Sequence, residues 1–251
     1  MEDQLRALLA VAFTGLLILL RFDAARFGAA EYDDETAPGG WRNGLRRFTW
    51  YALGVALVAA IYFIHPRPIS ELHLTPGPDR VRAISLGLAF GLLGLLVAAG
   101  FAWLRYRRFR LPSWRHYPGA IANSIGTALL DEVCFRGALM GMLLALTWPP
   151  ELAVAFQAIL YGLATRLGAP GRSRAMLAIS LGLAVGAGWL TIWTSGIGAA
   201  FVGHSVTRFA IFVTTGHAGQ VRPPGHEPEE EEAERRPPEG WEIVRESDRW
   251  A

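Results

Sequence analysis

The sequence has no lysine, a single cysteine and little charge of either sign. A lone Cys134 can form no internal disulfide and cannot build a Cys-based zinc site. No His-Glu-x-x-His run occurs, which removes a zinc site of that kind, and neither a metal nor a cofactor is expected. The net charge of +2 is too small for a nucleic-acid binder, and the arginines sit beside apolar runs rather than along one stripe. Nucleic acid is therefore set aside as a partner. All 24 basic residues are arginine, a side chain suited to membrane borders and buried ion pairs. What the chain does have is apolar residue: 52% is hydrophobic and 18% charged, with a mean hydropathy of +0.27. That is far more apolar surface than one soluble core needs, so the lipid bilayer is the expected surroundings.

A helix needs roughly 20 mainly apolar residues to cross the hydrocarbon core. Runs of about that length, bounded by charge or proline, predict an all-α, multi-pass transmembrane bundle of about seven spans. They are Ala7 to Leu20, Phe48 to Ile64, Ala83 to Leu104, Ile121 to Trp148, Leu152 to Ala164, Ala175 to Trp193 and Ile197 to Thr214. The first is short, and Arg6 and Arg21 at its flanks are read as snorkelling to the interfaces. A cleaved signal peptide competes there, against an opening Met-Glu-Asp-Gln-Leu-Arg that is not net positive. Gly87 with Gly91, Gly137 with Gly141 and Gly182 with Gly186 have the small-xxx-small spacing of close contacts, within the bundle or with another subunit. The last two spans, joined by Thr194-Ser195-Gly196, predict a hairpin.

Arginine should be richer in cytoplasmic loops. Arg26, Arg42, Arg46 and Arg47 lie in the first loop, Arg105, Arg107, Arg108, Arg110 and Arg115 in the third, and Arg166, Arg172 and Arg174 in the fifth. The alternate loops carry only Arg67, Arg80 and Arg82. This bias places the amino terminus outside and the carboxyl terminus in the cytoplasm, as suits a bacterial inner membrane. The chain divides into amino-terminal spans with a polar loop over 1–67, a core over 68–215 and an acidic, proline-rich tail over 216–251 that cannot build a core and is expected to be disordered alone. Trp241 to Trp250 is apolar enough to dock on a partner or the headgroup layer.

Charge inside a span is costly unless it faces protein or water. In the fourth span Glu132 and Arg136 stand one helical turn apart, with Asp131 on an adjacent flank, and in the seventh His204 and Arg208 have the same spacing. Carboxylates and an imidazole in a dry bundle could activate water and stabilise an oxyanion. Opposite charges could equally pair to fix helix register, as they do in membrane proteins that are not enzymes. The residue pattern alone leaves both readings open. Histidines 65, 73, 116, 217 and 226 fall in loops or the tail and are read as solvated, and Cys134 as an inert core thiol. Asn123, Ser124 and Thr127 are read as packing residues.

These residues resemble a known set of motifs. Asp131-Glu132-Val133-Cys134-Phe135-Arg136-Gly137 resembles the Glu/Asp-Glu-x-x-x-Arg-Gly motif of the CPBP (CAAX protease and bacteriocin-processing) intramembrane proteases. Tyr161 to Thr165 resembles the aromatic-x-x-x-His motif, with Thr165 at the histidine position, and Thr194 through His204 to Arg208 resembles His-x-x-x-Asn, with Arg208 at the asparagine position. Pro68 to Leu74 resembles the segment preceding the core in many members, so the likeness covers residues 68 to 214. It implies a bundle in which a glutamate and a histidine activate water while a second histidine and an asparagine stabilise the oxyanion. By position, Asp131 replaces the activating glutamate with a carboxylate ~1 Å shorter. Thr165 takes no proton at neutral pH, and Arg208 adds a permanent charge. The resulting candidates are Asp131, Glu132 and His204 for catalysis, Arg136 and Arg208 as charge-pairing residues, and Tyr161 and Thr165 as altered motif positions. Direct pairing of Arg136 and Arg208 with Asp131 and Glu132 would give a structural, charge-balanced cluster. The expected protein is a non-catalytic binding or assembly subunit of a membrane complex, with a membrane-protein partner. An active endopeptidase cutting a membrane-embedded or lipid-anchored peptide is the alternative.

Overall fold

The computed structural model describes residues 2–29, 32–33, 40–107, 109, 111–112, 114–167, 174–215 and 217–218. The tail with Trp241 to Trp250 lies outside the described residues. The architecture is helical: α1 (Glu2–Phe22), α2 (Gly40–Ile64), the single turn α3 (Pro68–Glu71), α4 (Arg80–Tyr106), α5 (Tyr117–Asp131), α6 (Met140–Ala145), α7 (Pro150–Leu167), α8 (Arg174–Thr194) and α9 (Gly198–Thr215). A two-residue antiparallel ladder pairs β1 (Tyr32–Asp33) with β2 (His217–Ala218). Among the described residues, four helices are long and apolar enough to cross a membrane: Glu2–Phe22, Gly44–Ile64, Arg80–Leu104 and Leu177–Thr194. Their outward faces carry large apolar side chains such as Leu8, Leu53, Leu88, Leu96 and Trp193, exposed as lipid contact requires.

Glycine rows set the closest helix contacts. Along α4, Gly87 faces the Ala199 carbonyl and Val202, Gly91 faces Val206, and Gly94 faces Thr207, so α9 lies in a groove that any side chain would fill. Gly186 of α8 accepts the ring of Phe90, whereas nothing lies within 4 Å of the Gly182 Cβ position. Of that pair, only Gly186 makes the close contact expected from its spacing.

The fourth apolar run is not one continuous α-helix ending at Trp148. Between α5 and α6 the chain widens into a π-helical stretch over Glu132–Leu139, a form concentrated at functional sites. Helix α6 then stops at Ala145. Thr147 is left-handed at φ 62°, and the Trp148 amide returns 3.1 Å to the Leu143 carbonyl, a C-terminal cap that Pro149 and Pro150 keep from continuing.

A strap over 66–79 crosses the end of this column. Asp79 caps α4, its Oδ1 accepting from the Arg82 amide at 2.9 Å. The His73 amide donates to the Gly137 carbonyl at 3.3 Å, and the Ile197 amide is shared between the His73 and Thr75 carbonyls at 3.2 and 2.9 Å. Gly137 and Gly141 are therefore covered by the chain's own Leu74, Glu71 and Leu72. Gly77 sits at φ 98° against the Thr194 carbonyl. Gly77→Val should lower stability by roughly 1–3 kcal/mol through backbone strain and clash. Gly182→Ala, in an open helix interior, should raise it by about 0.5–1 kcal/mol. Thermal unfolding of both variants in detergent checks the contrast.

Two loop histidines are not solvated as expected. His65 is 4% exposed and lies 3.6 Å from Glu71, while burial holds the His73 imidazole below its ordinary value. The folded state thus favours neutral His73, and the unfolded chain binds the extra proton below about pH 6.5. Stability should be full above that pH and fall as acid is added, and His73→Gln should flatten the pH dependence of the unfolding midpoint between pH 7.5 and 5.5.

Candidate functional site

The site forms where the widened column meets α1, α7 and α9. Asp131, Glu132 and Arg136 are 0%, 0% and 1% exposed, and His204 and Arg208 are also buried. Glu132 is the hub. Its Oε1 lies 2.7 Å from His204 Nδ1 and 3.3 Å from Arg136 Nη1. The other imidazole nitrogen, His204 Nε2, is 3.2 Å from the Tyr161 hydroxyl. The Tyr161 ring also lies under the Arg136 guanidinium, 4.5 Å from centroid to Cζ, a cation–π contact in a dry setting. Glu132, Arg136, Tyr161 and His204 are thus drawn together from three elements, as the spacing in α9 and the π-helical stretch allows.

Asp131 points elsewhere. Its partner is Arg21 of α1, with Nε donating to Oδ1 at 2.5 Å and Nη2 to Oδ2 at 3.4 Å. Expected to snorkel, Arg21 is instead 5% exposed. Helix α1 ends one residue beyond it, and Trp50 Nε1 donates to the Leu20 carbonyl at 2.9 Å, tucking the helix end against α2. Glu132 stands beside Arg136 as the i to i+4 spacing implies, and Asp131 is held by Arg21, a residue that the expected cluster of Asp131, Glu132, Arg136 and Arg208 did not include. Arg208 Nη2 donates to Asn123 Oδ1 at 3.1 Å. Asn123 Nδ2 donates to the Tyr51 hydroxyl at 3.1 Å, which is 2.9 Å from Thr127 Oγ1. Asn123 therefore orients an arginine and does more than pack, and Tyr51 of α2 was not singled out by motif or charge. Only its place in the middle of an apolar run marks it.

Thr165 is buried but bonds its own helix, donating to the Gly162 carbonyl at 2.9 Å. The cavity beside Glu132, Tyr161, His204, Phe90 and Thr207 has about 20 Å³ of free volume and does not include Thr165. That is room for about one water. Glu132 Oε2 accepts no hydrogen bond from any described residue. Cys134 is buried in the apolar cluster with Phe135 and Tyr161. Among the described residues no group of three or more His, Cys, Asp or Glu is placed to hold a metal ion.

Neither curated proteins nor solved structures gave a match to the chain. The family model described as type II CAAX prenyl endopeptidase Rce1-like matches residues 112–210. The matched stretch holds Asp131, Glu132, Arg136, Tyr161, Thr165, His204 and Arg208, but not Arg21 or Tyr51. Over this segment the chain is similar to the Rce1-like branch of the CPBP family, and its long apolar helices are those of an integral membrane protein.

Proposed function

We propose that this chain is a non-catalytic CPBP-type protein that binds or assembles with another membrane protein, using the family's charged centre to hold its own helices in register. The observation that carries this reading is the Arg21–Asp131 pair: the carboxylate at the first motif position is engaged on both oxygens by a guanidinium from outside the matched segment. His204 supports it, since Glu132 and Tyr161 meet both ring nitrogens. So does Thr165, whose hydroxyl serves its own helix where the family motif has a proton-accepting imidazole. The resemblance implies a glutamate and a histidine to activate water and a histidine with a neutral amide to stabilise the oxyanion, whereas the matching positions here hold Asp131, Thr165, His204 and Arg208. The arginine-rich loops favour an inner-membrane location with the carboxyl terminus in the cytoplasm.

The test is purification of the tagged full chain from its own membranes in mild detergent. A stoichiometric membrane-protein partner is the expected result, retained when Glu132→Gln is introduced. Recovery of the chain alone at every detergent stringency contradicts the reading.

One observation favours a second reading. Glu132 Oε2 accepts no hydrogen bond from any described residue and Glu132 borders a cavity with room for about one water, so Glu132 could serve as the general base of an endopeptidase, with His204 donating to the oxyanion. Turnover abolished by Glu132→Gln would then be expected.

A further inference from the structure

At the end of the bundle where α1 begins and α2 and α6 finish, a second cleft of about 530 Å³ lies apart from the charged centre. Its volume falls in the range of small-ligand sites. Its lining is mixed: Asp3, Arg67 and Glu71 bring charge, and Ala7, Val11 and Met142 bring apolar surface. Asp3, Ala7 and Val11 follow one face of α1, so charge gives way to apolar surface over eight residues, about 12 Å of helix. Val11 is half exposed and adjoins exposed Leu8, so the apolar lining runs out onto a flank that lipid chains cover. A polar head over an apolar tail is the shape of a bilayer lipid, and a soluble peptide would not require that lateral opening.

The lining charges narrow the head. Arg67 and Glu71 form an ion pair, Asp3 has no ion-pair partner among the described residues, and Arg6, which does not line the cleft, donates from Nε to the Ile64 carbonyl at 3.1 Å. His65, on the cleft wall, is held below its ordinary pKa by burial and adds no cation at neutral pH. The charged lining therefore consists of two carboxylates and one guanidinium. That balance favours a headgroup bearing an ammonium beside its phosphate and disfavours a purely anionic one.

We propose that this cleft binds a zwitterionic aminophospholipid, its ammonium against Asp3 and Glu71, its phosphate against Arg67 and one acyl chain along Ala7 and Val11 toward Met142. The site is independent of whether the charged centre cleaves peptides.

The experiment is native mass spectrometry of the full chain in mild detergent, titrated separately with phosphatidylethanolamine, phosphatidylglycerol and diacylglycerol of the same acyl composition. Phosphatidylethanolamine adducts should persist to about tenfold lower lipid concentration than either competitor. Ala145→Trp, a substitution at an exposed wall position, should remove that preference by filling the cleft, and Asp3→Asn should weaken it. Unfolding midpoints of both variants, measured alongside, separate lost binding from lost structure. Equal retention of the three lipids, a preference for phosphatidylglycerol, or a preference that survives Ala145→Trp in a folded protein overturns the proposal.

Discussion

Arg21→Ala should cost about 3–5 kcal/mol of stability, because it strands the fully buried Asp131 carboxylate without its cation. The same substitution at a snorkelling arginine would cost little, since the head would already be in water. Adding Asp131→Asn to Arg21→Ala should recover most of the loss, as a neutral amide needs no counterion. The two single substitutions must therefore be non-additive, with coupling at the upper end of the usual 0.5–3 kcal/mol range. Unfolding in detergent of wild type, both single variants and the double variant closes the cycle. Additive losses would show that the pair carries no energetic coupling.

Arg136→Met should have the second largest effect, about 3 kcal/mol. It removes the cation 3.3 Å from Glu132 and the guanidinium stacked on Tyr161, leaving His204 as the carboxylate's remaining hydrogen-bonding neighbour. Arg136→Lys should rescue only in part. An ammonium keeps the charge but has neither the planar face for Tyr161 nor the same reach. Pairing Arg136→Met with Glu132→Gln should restore most of the stability, and tryptic cleavage rates of the folded chain in detergent provide a readout independent of heat.

The helices and their close contacts were legible because both follow local rules. Apolar runs bounded by arginine or proline marked the columns, and the Gly87–Gly91 spacing marked the face that receives α9. Glu132 with Arg136 was equally readable, since four residues of helix bring them together. Arg21 was not. Its partner lies 110 residues away, and an arginine ending an apolar run has the same sequence signature whether it snorkels or turns inward. The π-helical stretch over Glu132–Leu139 was hidden as well, because its local sequence reads as ordinary α-helix, and the strap whose His73 amide donates to Gly137 reaches it only in the folded chain. The strap also explains why Gly137 and Gly141, which look like an interface for another helix, are covered by the chain itself. Motif comparison identified Thr165 and Arg208 as altered positions, but the use of each side chain, one on its own backbone and one on Asn123, required coordinates.

Glu132 and its neighbours are proposed to hold the bundle together without hydrolysing peptides. The most direct measurement is cleavage of a prenylated CAAX-type peptide by the full chain in proteoliposomes, comparing wild type with Glu132→Gln at matched folded protein. Both should release product only at the rate of protein-free vesicles. Turnover by wild type that disappears in Glu132→Gln would contradict it and assign Glu132 as the base of a working peptidase.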